Sequence, residues 1–256
     1  MMITCSEIIQ FMEKTAPVEL AEEWDNVGLL VGSRECIVKK IMVCLDITAA
    51  SVKEAASKKV DMIITHHPVI FKGLKSLTQD DAKGRLLYEL VRNSISVYSA
   101  HTNLDFAECG VNDRLAEVLG LKRLEILGKG PGKIGFLPEE KTFSEYIRMV
   151  KNALEVPFVR AIGKAGKCVH RAAVFSGSFD DDLEALLKGE ADVLVTGDLK
   201  YHSALDAKEA GLCVIDAGHF NTEKIILPIL AASLASNFPD VEVFCSEKEE
   251  DPFNTC

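Results

Sequence analysis

The chain has 256 residues, of which 48% are hydrophobic and 27% charged, and a formal net charge of -10. This is ample for a real core in one large domain or two smaller ones. An acidic chain does not suit a nucleic-acid backbone as main partner, which needs a basic face, and no apolar run reaches the 18 residues of a membrane-spanning helix.

The first ten residues carry Glu7 and no basic cluster, so no signal peptide is expected. The eight cysteines are scattered and form no C-x-x-C pair. They read as reduced thiols of a cytoplasmic protein, with Cys44 and Cys213 packed inside strands.

In chain order, Ile8, Ile9 and Met12 give the apolar face of a first helix, capped by Thr4 or Ser6 and ended by Pro17. Glu22 to Gly28 is turn-rich; Trp24 is expected to anchor the turn and Asn26 to take an unusual backbone angle. A strand follows over 41–46, then a helix over 49–59 capped by Thr48. Met62 to Thr65 is a short buried strand, 82–93 a helix, and Ile95 to Ser99 a strand. Val111 to Leu119 is a helix stopped by Gly120.

Gly128 to Lys133 is the clearest linker-like stretch. Its spacing is not that of a phosphate-binding loop. Beyond it come a strand at 133–137, a helix at 142–154, and strands at 156–162 and 171–175. His170, beside Arg171, reads as a surface residue. Ser176 to Ser178 reads as a turn outside any G-x-S-x-G elbow, followed by a helix over 180–188. Val193 to Thr196 is a strand, 202–210 a helix, Cys213 to Asp216 a strand, Asn221 to Ser233 a helix and Val241 to Cys245 a last strand.

Alternating short apolar strands and helices indicate an α/β protein with largely parallel sheets. Val60-Asp61-Met62-Ile63-Ile64-Thr65 is echoed by Ala191-Asp192-Val193-Leu194-Val195-Thr196, and each copy is followed by a helix and a strand ending near a histidine. The expected fold is therefore two similar, interlocked α/β lobes with mixed, largely parallel sheets flanked by helices. The lobes divide as 1–127 and 128–256, or form one inseparable unit.

Three strand-like runs stop at histidine and carboxylate clusters: His66-His67, His101 with Asp105, and His219 with Glu223. Ligands collect at the carboxyl ends of strands in open α/β sheets. Imidazole and carboxylate together suit zinc, iron, manganese or nickel, so these clusters read as a two-metal centre. Adjacent histidines on a regular strand point apart, so His66 and His67 would each take one ion. Asp105 and Glu223 would bridge. If Gly218 ends its strand and a helix starts at once, His219 and Glu223 share one helix face. His101 is open between touching substrate and packing in its turn. Asp46 is open between lining the site and opening the following helix.

Glu23-Trp24-Asp25-Asn26-Val27-Gly28-Leu29, Thr65-His66-His67-Pro68, His101-Thr102-Asn103-Leu104-Asp105, Thr196 to His202 and Gly218-His219-Phe220-Asn221-Thr222-Glu223 occur in this order. In these motifs, over about residues 3–247, the chain resembles the NIF-three-like family, the GTP cyclohydrolase I type 2 homologues, in a short form without the extra central domain. The resemblance implies that His66, His67, Asp105, His219 and Glu223 bind two divalent ions, and that the protein forms toroidal homohexamers. It points to a metal-dependent hydrolase of a small phosphorylated or nucleotide-like substrate. In a hydrolase His101 or His202 would move a proton, and Asp46 and Tyr201 would line the substrate site; Tyr201 and His202 are open between such roles and simply starting their helix. The alternative of a different class is a ring-shaped metal-binding scaffold without turnover.

Overall fold

Met62-Ile63-Ile64-Thr65 is buried at every position, as expected of a strand covered on both faces of a parallel sheet. In the computed structural model, which describes residues 2–179 and 190–254, this strand lies at the centre of the first of two compact units. That unit comprises Met1–Glu108 and Ile226–Cys256; the second comprises Cys109–Ile225. The helix expected over 180–188 lies outside the described residues.

In the first unit, β1 (Gly28–Val31), β2 (Lys40–Cys44), β3 (Met62–Thr65), β4 (Ser96–Ser99) and the late strand β11 (Glu242–Cys245) form a sheet of order β1-β4-β3-β2-β11. All neighbours are parallel except β1, which runs antiparallel to β4. Register places Cys44 beside Thr65 and Thr65 beside Ser99. Three parallel strands therefore end side by side, immediately before Asp46, His66-His67 and His101.

Helices Ala49–Lys58 and Ala82–Arg92 supply Val52, Ala55, Leu87 and Leu90 to a cluster that also holds Met42, Ile63 and Val97. Thr48 opens the first of these helices as expected, its Oγ1 accepting the Ser51 N–H at 3.1 Å. Truncating Leu90, which is fully buried, to alanine would cost about 2–5 kcal/mol by the usual cavity penalty.

The second unit has β5 (Lys122–Ile126), β6 (Lys133–Thr142), β7 (Arg160–Ile162), β8 (Cys168–Ser178), β9 (Val193–Gly197) and β10 (Cys213–Asp216) in the order β5-β6-β8-β9-β10-β7. β8, β9 and β10 are parallel, with β7 antiparallel at one edge and β6 and β5 antiparallel at the other. Each sheet thus has a parallel trio in chain sequence with an antiparallel strand beyond its last member.

The echoed aspartates match atom for atom. Asp61 Oδ2 accepts the N–H groups of Lys39 and Lys40 at 2.8 and 2.9 Å. Asp192 Oδ2 accepts those of His170 and Arg171 at 2.9 and 2.8 Å.

Several expectations shift. The chain leaves the first unit at Glu108 and returns to it at Ile226, with β11 pairing in parallel with β2, whereas the sequence pattern points to a division at 127/128 or to one inseparable unit. Ser176-Gly177-Ser178 continues β8 rather than turning. The helix expected over 221–233 is three pieces, His219–Glu223, a 3-10 turn at Lys224–Ile226 and Leu227–Asn237. Pro228, which lacks an N–H, sits in the first turn of the third piece, where none is needed. The strand expected over 156–162 is ordered as a strand only at Arg160–Ile162. His170 is half-buried against the Phe136 ring, 5.4 Å away, not a surface residue. Cys44 and Cys213 are fully buried in their strands as expected. Among the described residues no helix is long and apolar enough to cross a membrane.

Candidate metal-binding residues

Beyond Thr65 the extended backbone gives way to a bend at His66 and His67, and this alters the geometry expected of neighbours on a strand. Their rings do not point apart; the centroids are 5.0 Å from each other. His101, from the loop after β4, joins them at 5.2 and 5.5 Å. One ligating atom from each of the three falls within 4.8 Å of the others.

Each imidazole is oriented through Nδ1. His66, 2% exposed, has Nδ1 2.8 Å from the Ala100 carbonyl. A carbonyl only accepts, so Nδ1 carries the proton and Nε2 is the basic nitrogen. That Nε2 lies 3.7 Å from Asp105 Oδ1. His67 Nδ1 meets Asp46 Oδ1 at 3.0 Å, and His101 Nδ1 meets Asp25 Oδ1 at 2.9 Å. Such outer carboxylates and carbonyls fix tautomer and direction in metal-binding histidines.

Asp25 is more than a marker of its turn. Its side chain is fully buried and accepts from Asn26 N, Thr102 N, Thr102 Oγ1 and His101 Nδ1. Burial alone would raise its pKa, but the hydrogen bonds from His101 and Thr102 outweigh it and hold the carboxyl at about 2. Trp24 next to it does not anchor the turn by burial; it is 58% exposed. Nor does Asn26 take a positive φ. Its amide instead donates to the Ile70 carbonyl.

Asp46 serves two ends. Its carboxylate faces His67 and its carbonyl accepts the Ser51 hydroxyl at 3.2 Å, helping to open the following helix. Glu249, on the segment after β11, has Oε1 2.6 Å from Leu45 N and 2.7 Å from Asp46 N. Burial pushes its pKa up to about 7 despite those N–H donors.

In the second unit, Gly218 takes φ 88 and the helix starts at His219, as the spacing required. Asp216 Oδ1 accepts the Gly218 N–H at 3.1 Å and Oδ2 that of Leu199. A Cβ at Gly197 would come within 2.6 Å of His219 N, so only glycine lets this turn pass so close. His219 Nε2 lies 3.1 Å from Glu223 Oε1 and its Nδ1 2.9 Å from Asp198 Oδ2. Glu223 is 3% exposed.

Each unit therefore carries imidazole and carboxylate donors suited to divalent ions: His66, His67, His101 and Asp105 in the first, His219 and Glu223 in the second. Tyr201 and His202 are exposed at the start of helix Tyr201–Glu209. Tyr201 lines a cleft of about 180 Å³ with Arg160 and Asp216. The sequence assigns no site role to Asp25, Asp198, Gly177 or Glu249, although Asp25 and Asp198 stand in its motifs and Gly177 in an expected turn; the partner of Asp198, His219, lies 21 residues on.

The Duf34/NIF3 (NGG1p interacting factor 3) model matches residues 3–252. A Clostridium perfringens relative named GTP cyclohydrolase 1 type 2 homolog is 38% identical over 97% of this chain and 98% of its own. A Methanocaldococcus jannaschii relative of the same name is 35% identical over 93% and 96%. Among solved structures, a Bacillus cereus protein related to NIF3 is similar with a TM-score of 0.93 at 27% identity, over 100% of both chains. Reduced HcgD from Methanocaldococcus jannaschii is similar with a TM-score of 0.85 at 33% identity, over 96% and 99%. The chain belongs to the Duf34/NIF3 family.

Proposed function

We propose that this protein binds two divalent ions through His66, His67, Asp105, His219 and Glu223 and hydrolyses a small phosphorylated or nucleotide-like substrate. The observation that best supports this is a shared habit of the imidazoles. His66, His67 and His219 each have Nδ1 facing an oxygen, from Ala100, Asp46 and Asp198 respectively. Each thereby presents Nε2, as metal-binding histidines do.

Zinc, iron, manganese and nickel all suit this donor set. Bound ions would lower the pKa of water and polarise substrate oxygens. His101 is the protein's own proton carrier in this reading, its ring steadied at Nδ1 by the ionised Asp25 and standing within the group it forms with His66 and His67. The name carried by the relatives agrees with hydrolytic opening of a nucleotide ring. The toroidal homohexamer implied by the resemblance is part of the proposal, and light scattering tests it.

Elemental analysis of protein purified without chelators is the direct experiment. His66→Ala and Glu223→Ala should each lose metal while circular dichroism shows an intact fold. Full metal content in both variants would overturn the reading. Metal bound without turnover of any phosphoester or nucleotide in a broad panel would favour a scaffold.

A further inference from the structure

We propose that Trp24 and Phe71 seat a planar heteroaromatic ring of the substrate beside the His66, His67 and His101 cluster. This deepens the hydrolase reading and rests on it for the identity of the reacting site.

Isolated exposed aromatics are ordinary, but these two are not isolated. Trp24 is 58% exposed and Phe71 40%. Their ring centroids are 5.7 Å apart, with planes tilted by 49°. Both meet His101 near edge-on, at 6.1 and 6.3 Å. The aromatic pair is therefore continuous with the imidazole cluster, and a ring resting on it would keep its substituents near His101.

The backbones carrying the pair are held in place. Asp25, next to Trp24, is buried and accepts four hydrogen bonds. Asn26 ties the same turn to the Ile70 carbonyl, one residue before Phe71. The Glu22 N–H donates to Thr102 Oγ1 at 3.0 Å. A rigid, open aromatic surface loses little freedom when a ring stacks on it, and stacking accepts any planar base. Lys72 and Lys75 follow Phe71 in an exposed stretch and, under this proposal, are the cations offered to an anionic group on the same molecule.

Trp24 is the chain's single tryptophan, so its fluorescence reports on this surface alone. The full-length protein, as purified, is titrated with GMP and UMP, and with ribose 5-phosphate and inorganic phosphate as ring-free controls. At least one nucleotide should quench saturably and the controls should not. Phe71→Ala should weaken that affinity by about tenfold or more, and Phe71→Tyr should restore it. Trp24→Ala, followed by equilibrium dialysis, should show a similar loss with unchanged circular dichroism.

The proposal is overturned by absence of saturable quenching, by equal quenching from ribose 5-phosphate, or by unchanged affinity in folded Phe71→Ala. It is also overturned if Trp24 emission shifts on protein dilution, which would mark the pair as an interface between copies. Elemental analysis of the same sample separates the two readings. Bound metal without nucleotide binding removes only the ring seat; nucleotide binding by protein devoid of metal removes only the metal centre.

Discussion

Gly177 lies against Glu223 so closely that a Cβ added there would stand 2.3 Å from Oε1 and 3.4 Å from His219 Nε2. Gly177 also takes φ 64, where an L side chain is strained. Gly177→Ala is therefore expected to cost about 1–3 kcal/mol in stability and to push the Glu223 carboxylate away from His219. Urea unfolding measures the first effect and metal stoichiometry the second. An alanine variant with parental stability and full metal content would show that Glu223 has room to move without consequence.

Asp25 makes a pH prediction. Its folded pKa of about 2 lies below the ordinary 3.8, so ionised Asp25 stabilises the fold above pH 3.8, and the contribution disappears as pH falls towards 2. The shift corresponds to at most about 2 kcal/mol. Asp25→Asn should be less stable than the parent by about that amount near neutral pH, and the gap should narrow steadily below pH 4. A gap independent of pH would assign the loss to packing instead of charge.

Asp46 and Asp198 stand in matching roles, each facing the Nδ1 of a proposed ligand, His67 and His219. Replacing either by alanine should lower metal affinity about 10–100-fold while leaving the folded protein intact. Competition against a fluorescent chelator gives the number. Unchanged affinity in both variants would mean that the imidazoles are oriented by packing alone.

What the sequence made readable was local. Continuous apolar runs bounded by turns located β2, β3, β9 and β10. Gly218 with the four-residue step from His219 to Glu223 revealed the helix start that brings their side chains to 3.1 Å. The repeated hydrophobic-Asp pattern at Val60-Asp61 and Ala191-Asp192 announced two related sheets, and the matching backbone bonds of the two aspartates agree with that. Pairings across long stretches of chain were not readable. Nothing in Glu242–Cys245 says that it must lie beside Lys40–Cys44, since a four-residue strand fits many neighbours. β5 was missed because all five of its residues are exposed, leaving no alternation to detect. Trp24 was misread because a lone tryptophan in a turn looks like an anchor until its exposure is seen.

Glu249 illustrates such a distant pairing, 204 residues from Leu45, and carries a sign opposite to that of Asp25. Its folded pKa is raised from 4.5 to about 7, so the fold holds this proton after the unfolded chain has released it. Stability from this group is complete below pH 4.5 and declines as pH rises towards 7, by at most about 3 kcal/mol. Glu249→Gln keeps an acceptor oxygen for the Leu45 and Asp46 N–H groups but cannot ionise. In chelator-treated protein the variant should match the parent at pH 4.5 and exceed its stability at pH 8, as urea unfolding at the two values would show. A variant less stable than the parent at pH 8 would mean that the two N–H groups reward the anion more than burial penalises it. Glu249 would then support the end of β2, and with it Asp46 and His67, as a charged group.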